Sequence, residues 1–249
     1  MDDAMFEAMC ESPEFIEEML QTILSNPKLR IIYDSVVPQK SIKNLRGRSV
    51  RLDAYVQGEE DKVFNIEIQC ADNCNHVKRV RYNASLITVN NSEPGDEFDD
   101  IQSLCVIYIT QKDFFKKGFT VYHVQSTIQE TQEFIDDGLT SIYINAENND
   151  GSKVAELMEL FNKKELDEID KKKFPETYKR FNSIKHDKKE VNRMCEKIDS
   201  YAEKQGIMMY ICACVDNEES KETIIDKITR RFNLTEEDAD EYYDEAIQQ

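Results

Sequence analysis

Three residues of this chain have the types and spacing needed for metal chemistry on a phosphate: Asp53, Glu67 and Gln69. They lie in two short segments, Arg51-Leu52-Asp53-Ala54-Tyr55 and Phe64-Asn65-Ile66-Glu67-Ile68-Gln69, separated by an acidic turn. Each segment alternates polar and apolar residues, which predicts a strand with one buried face. Period 2 puts Asp53 on a face with Arg51 and Tyr55, and Val50, Leu52 and Ala54 on the other. In the second segment Asn65, Glu67 and Gln69 share a face against Phe64, Ile66 and Ile68. A turn over 57–62 centred near Glu60 sets Asp53 opposite Glu67. Two carboxylates then meet on one rigid surface, an arrangement suited to Mg²⁺ or Mn²⁺, ions that keep several waters and take only one or two carboxylates. Such an ion polarises phosphorus and lowers the pKa of an attacking water. Gln69, about 7 Å along the strand from Glu67, is placed to orient that water or to bond a phosphate. The same alternation also describes an ordinary amphipathic hairpin with a solvated polar face.

The elements that must hold this hairpin are legible around it. Residues 13–24 predict a helix: Ser12 caps it, Pro13 suits its first turn, and Phe15, Ile16, Met19, Leu20, Ile23 and Leu24 form one apolar stripe. Residues 29–38 read as a short strand or an extended lead into the sheet, followed by strands over 48–56 and 63–70. A second helix is expected over 75–89, with Val77, Val80, Ala84 and Ile87 on its core face. Residues 90–100 read as an acidic loop. The run Leu104-Cys-Val-Ile-Tyr-Ile109 is near-continuously apolar, as a strand covered on both faces must be. Further strands are expected over 119–124 and 141–145, and a helix from 154 to 162.

Past about 165 the texture changes. Within 171–193 there are nine Lys/Arg and three Asp/Glu, a local charge of +6 inside a chain of net charge −18. That segment reads either as a track for a DNA backbone or as a Lys-rich solvated linker. From Glu190 onward the pattern is helical, with a helix over 223–232 and a capping-box-like start at Leu234-Thr-Glu-Glu-Asp.

With Asp53, thirteen residues, and then Glu67-Ile68-Gln69, placed helix–strand–strand–strand–helix, the chain resembles the PD-(D/E)XK nuclease superfamily. The wording around the motif is similar to its bacterial branch of recombination-promoting nuclease and transposase-like proteins. There a strand ending in Asp, an acidic turn and a strand reading Asn-Ile-Glu-x-Gln precede a helix with Arg and Tyr. The matching residues here are Arg79, Tyr82 and Ser85, and the later Val106-Ile-Tyr-Ile-Thr110, Phe114-Phe, Lys117-Gly118 and Val121-Tyr122 stretch is similar as well. The likeness covers roughly residues 5–165.

The resemblance implies an α/β fold, a mixed central sheet flanked by helices, with a nuclease-like domain over 1–165 and a mostly helical, partly basic extension over 166–249. It implies a Mg²⁺- or Mn²⁺-dependent DNA endonuclease in which Asp53 and Glu67 hold the metal. Gln69 stands where the motif has a lysine, so a neutral dipole replaces a cation there. Lys78 and Arg79 are placed either to touch a phosphate or to serve as ordinary helix-surface charge, Tyr82 to orient Gln69 or to pack, and Ser85 joins them as a DNA-binding residue of the matching helix. Some members add an acid from the first helix, for which Glu17 and Glu18 are the candidates; a solvated helix charge is the plainer reading of both. A nuclease that makes double-strand breaks often works as a dimer, so DNA and a second copy are the partners expected.

Composition bounds the alternatives. At 249 residues with 40% hydrophobic content the chain buries a real core. No apolar run approaches a membrane span, and the acidic start Met-Asp-Asp-Ala is unlike a signal peptide, so a cytoplasmic protein is expected. Seven scattered cysteines read as reduced thiols; Cys70-x3-Cys74-x-His76 has no second ligand pair at zinc spacing. His76, His123 and His186 show no nucleophile-and-base pattern, and neither a Gly-rich phosphate loop nor a Gly-x-Ser-x-Gly elbow is present. The net charge of −18 repels nucleic acid at long range. With the neutral Gln69, it supports the rival expectation of a catalytically inactive nuclease fold acting as an interaction or regulatory module. A nuclease acting on RNA is the third reading.

Overall fold

A computed structural model of the chain describes residues 3–42, 44, 49–59, 61–69 and 76–247. Six strands form one mixed sheet: β1 (Val37–Ile42), β2 (Val50–Gln57), β3 (Lys62–Gln69), β4 (Ser103–Thr110), β5 (Val121–Val124) and β6 (Leu139–Asn145), in the order β1-β2-β3-β4-β6-β5. The first three are antiparallel neighbours; β3, β4 and β6 run parallel, and β5 returns antiparallel on β6. Helices α1 (Asp3–Met9), α2 (Pro13–Ile23), α3 (His76–Asn90), α4 (Lys153–Leu160), α5 (Glu168–Lys173) and α6 (Pro175–His186) accompany the sheet, and α7 (Lys188–Asp216), α8 (Lys221–Phe232) and α9 (Glu236–Ala246) follow. The mixed sheet with flanking helices is the α/β architecture of the PD-(D/E)XK fold.

The expected first helix forms as α2. Ser12 accepts from Phe15 N at 3.3 Å, Pro13 opens the helix, and Phe15, Ile16, Met19, Leu20 and Ile23 are buried. Their partners are one face of the sheet: Phe64, Ile66, Cys105, Ile107, Ile109, Ile142 and Ile144, together with residues of α1, α4 and α6. The opposite face carries Tyr55, Val63, Leu104, Val106, Tyr108 and Tyr143, covered by Val80, Ala84 and Ile87 of α3. β4 feeds both clusters, which is why its sequence is apolar at almost every position. The third cluster, Ile207, Met208, Ile211, Cys214, Ile224, Ile228, Ala239 and Ala246, joins α7, α8 and α9.

Four expectations are corrected. The first strand spans Val37–Ile42, after a 3-10 turn at Tyr33–Ser35, and not 29–38. It is an edge strand, which is where a sheet tolerates Pro38. Val77 is 47% exposed, and Asn83, 3% exposed, takes its place on the inner face of α3. Leu52, with Val50 packed beside it, joins the α3 side although Ala54 joins the α2 side. The alternation therefore shifts at Asp53, where the β2–β3 ladder ends after Ala54↔Ile66. The strand expected over 119–124 begins only at Val121, because Phe119 belongs to the preceding turn.

The basic segment is largely neutralised within the fold. Arg180 pairs with Glu11 and Glu190 and bonds the carbonyl of Ala8; Arg193 pairs with Glu11, Lys173 with Glu156, Lys171 with Glu168, and Lys179 with Glu176. Glu17 accepts from Ile31 N, and Glu18 accepts from Glu176 N, Thr177 N and Thr177 Oγ, capping α6. The α2 carboxylates thus tie the chain together on the far side of the sheet. Cys10, Cys105 and Cys214 are buried thiols, while Cys70 and Cys74 lie outside the described residues. Among the described residues no helix is long and apolar enough to cross a membrane.

Candidate active site

The β2–β3 hairpin has the register that its sequence implies. Tyr55↔Asn65 and Gln57↔Val63 pair about a centre at position 60, and the ladder ends at Ala54↔Ile66, immediately before Asp53 and Glu67, whose carboxylates are close enough to act on each other. There the backbone ladder gives way to a side chain: Asp53 Oδ2 accepts from Ile68 N at 2.7 Å. The carboxylate is thereby held across the strand gap, beside Glu67, at the end of the sheet where β3 hands the chain on to α3.

Glu67 is 1% exposed, an unusual place for a carboxylate. Its support is two amides. Asn65, fully buried two residues earlier on the same face, donates Nδ2 to Glu67 Oε1 at 3.0 Å, and Asn83 of α3 bonds it from the helix side. Burial, then the neighbouring charge of Asp53, push the Glu67 carboxyl up to about 8, against the opposing pull of Arg79 and the two amides. Among the described residues Asn65 Oδ1 is buried without a partner. Two neighbouring carboxylates and this amide oxygen gather oxygen acceptors of the type a hard cation takes, although no group of three or more acids, histidines or cysteines placed to hold a metal occurs among the described residues.

Gln69 follows Glu67 by two residues at the end of β3. Its Oε1 accepts from Arg79 Nη1 at 2.6 Å, so the position without a cation of its own is joined to one from α3. Lys78 and Ser85 are exposed on the same helix, but Ser85 spends its hydroxyl on the carbonyl of Arg81. Tyr82 is half-buried and accepts from Asn44 Nδ2 at 3.3 Å, toward β1. The structure therefore brings Asp53, Glu67, Gln69 and Arg79 together, leaves Lys78 and Ser85 on the exposed surface of α3, and turns Tyr82 toward β1.

Two features were not anticipated from the sequence. One is the Asn65–Glu67–Asn83 grip; Asn83 lies beside the apolar stripe of Val80, Ala84 and Ile87 and is buried with it. The other is a row of tyrosines. The parallel register pairs Glu67 with Tyr108 and Tyr108 with Tyr143, and β5 adds Tyr122 opposite Tyr143. The row Asp53, Glu67, Tyr108, Tyr143, Tyr122 runs across five strands on one face. Tyr108 Oη lies 3.1 Å from His76 Nδ1 at the start of α3, and burial raises its pKa well above the ordinary tyrosine value.

Comparison with curated proteins and with solved structures returns no match at a significant level. A family model described as PD-(D/E)XK nuclease family transposase matches residues 4–224. With that match over most of its length, the chain belongs to the PD-(D/E)XK nuclease family transposases.

Proposed function

We propose that this protein is a divalent-metal-dependent DNA endonuclease that hydrolyses phosphodiester bonds at the Asp53–Glu67 hairpin. The observation that carries the reading is the convergence of two carboxylates, one of them pushed toward neutrality by its burial and then by the charge of the other, with a guanidinium joined to Gln69. Asp53 and Glu67 would hold Mg²⁺ or Mn²⁺, and the ion would supply Lewis-acid polarisation of the phosphate and an acidified water. The amides of Asn65 and Asn83 keep the Glu67 carboxylate aimed at the cation. The backbone N–H of Ile68 does the same for Asp53. Gln69 orients the attacking water or a phosphate oxygen. Arg79 restores the positive charge that a lysine would bring to the developing phosphorane, acting beside Gln69 and not in its place. Plasmid nicking with Mg²⁺ or Mn²⁺ tests the reading: wild type nicks, and Asp53→Ala and Glu67→Ala do not. Equal cleavage by all three would overturn it.

The second reading, a nuclease fold kept as a non-catalytic interaction module, draws on the net charge of −18 and the neutral Gln69. It expects no metal response. A thermal midpoint that rises with Mn²⁺ in wild type argues against it, because a ligand bound only by the folded state raises the midpoint.

A further inference from the structure

The connection from β4 to β5, residues 111–120, has a build that folding alone does not explain. It carries Lys112, Lys116 and Lys117 against one acid, Asp113, a local charge of +2 in a chain of −18. Asp113 organises it, accepting from Lys116 N at 3.0 Å, Gly118 N at 2.8 Å and Tyr122 Oη at 2.8 Å. Lys116 takes a left-handed backbone (φ 56°), a conformation that costs a non-glycine residue about 1 kcal/mol. Phe114 and Phe115 turn inward onto Tyr143, and Phe114 stacks on His76 at 4.6 Å. Phe119 turns outward instead. It is 61% exposed, held by its N–H to Tyr122 Oη at 3.2 Å and by its carbonyl to Asn145 Nδ2 at 3.3 Å. Lys116 and Lys117 are exposed and form no ion pair among the described residues.

A turn braced by Asp113, which displays an aromatic ring propped edge-on by Tyr122 at 5.8 Å beside two lysines without ion pairs among the described residues, is a preorganised contact surface. Its location says what it contacts. β4 runs parallel to β3 with Tyr108 beside Glu67, so the turn leaves the sheet at the same end as Gln69. The His76–Phe114 stack ties it to the start of α3, where Lys78, Arg79 and Arg81 add three more positive charges. In an acidic protein this cationic rim is complementary to a polyanion. Adjacent lysines suit successive phosphates, and a flat exposed ring suits a base, since every base offers a π-face.

We propose that the 111–120 turn is a DNA-binding element of this protein, with Lys116 and Lys117 on backbone phosphates and Phe119 stacked on a base of an unpaired strand beside the cleavage position. The proposal rests on the nuclease reading above for its substrate, and it adds a preference for DNA with a single-stranded segment. The test is fluorescence anisotropy in Ca²⁺ with a labelled DNA duplex bearing a single-stranded overhang, and with the blunt duplex. The Lys116→Ala/Lys117→Ala variant should lose about ten-fold in affinity at low salt and flatten the log–log salt slope by about 1.5, two phosphate contacts' worth. Phe119→Ala should bind the overhang about ten-fold more weakly and the blunt duplex nearly as before. All three side chains are exposed, so thermal midpoints should stay at the wild-type value.

Wild-type affinity and slope in both variants would overturn the proposal, and so would an RNA overhang preferred to the DNA one. If wild type nicks plasmid while the variants bind normally, only the turn assignment falls. If the variants weaken DNA binding but no protein nicks, the turn assignment stands and the nuclease reading falls.

Discussion

The two faces of the central sheet are made by the same strands and have opposite chemistry. On the α2 side, β3, β4 and β6 contribute Phe64, Ile66, Ile107, Ile109, Ile142 and Ile144, and the titratable groups beside them are the thiol of Cys105 and, at the start of β3, Lys62 over the ring of Phe64. On the α3 side the same strands contribute Asn65, Glu67, Tyr108 and Tyr143, and β2 adds Asp53. Period 2 makes this division possible, since neighbouring residues of one strand serve different faces. The α2 face supplies the larger apolar core, each fully buried Ile or Phe contributing ~1.5–3 kcal/mol, and Val63, Leu104 and Val106 against α3 add to it on the other side. That surplus tolerates a carboxylate held at 1% exposure on the other side. Stability and chemistry are therefore separable by substitution, and each of the following variants tests that separation.

The largest effect is expected on the apolar face. Ile107→Ala should cost about 2–5 kcal/mol in urea unfolding, because the cavity is closed in by Ile66, Ile142 and α2. Its Mn²⁺-induced rise in thermal midpoint should survive; loss of that rise would mean that the faces are not independent.

Glu67→Gln should do the reverse, losing metal binding while gaining stability. The sign follows from the raised carboxyl pKa. Between the ordinary glutamate value, 4.5, and about 8, the metal-free folded state binds more protons at Glu67 than the unfolded state does. Its stability therefore falls as pH rises through that window and is unaffected by this group below it. Glu67→Gln removes the decline, so the metal-free variant should exceed wild type by roughly 4 kcal/mol at pH 8 and by little at pH 4.5. Parallel denaturation curves for the two proteins across that range would show that Glu67 carries no such strain.

Arg79→Ala should slow cleavage about ten-fold to thirty-fold, ~1.4–2 kcal/mol of barrier, with Mn²⁺ affinity nearly unchanged. Arg79→Lys should recover part of the rate. A variant with the wild-type rate would leave Gln69 without its proposed cation. Smallest of all, Tyr122→Phe should cost ~1 kcal/mol in unfolding, because Asp113 loses one of several donors at the far end of the tyrosine row.

How much of this was legible beforehand follows the range of the interactions. The Asp53–Glu67 pairing was readable because a hairpin is local: alternation fixes the face, and a turn centred near Glu60 fixes the register. The α2 stripe and its Ser12 cap were readable for the same reason. The Glu67–Tyr108–Tyr143 row was not, since the registers of parallel strands are set by packing across crossovers many residues long. Asn83 was passed over because a polar residue inside an apolar helical pattern reads as an interruption, and only its buried carboxylate partner explains it. The first strand was misplaced because Val-Pro-Gln-Lys-Ser-Ile lacks the apolar alternation of a half-buried strand, and an edge position does not demand it. At Gln69 the sequence shows a missing lysine, whereas the fold shows Arg79 reaching it from ten residues along the chain.

The central claim is that Asp53 and Glu67 together form one divalent-cation site. Calorimetric titration of Mn²⁺ into the metal-free protein at pH 8 tests it directly. Wild type should bind with a stoichiometry set by that site, and Asp53→Asn and Glu67→Gln should each abolish the binding while remaining folded. Equal Mn²⁺ binding by wild type and both variants, or none by wild type, would contradict it.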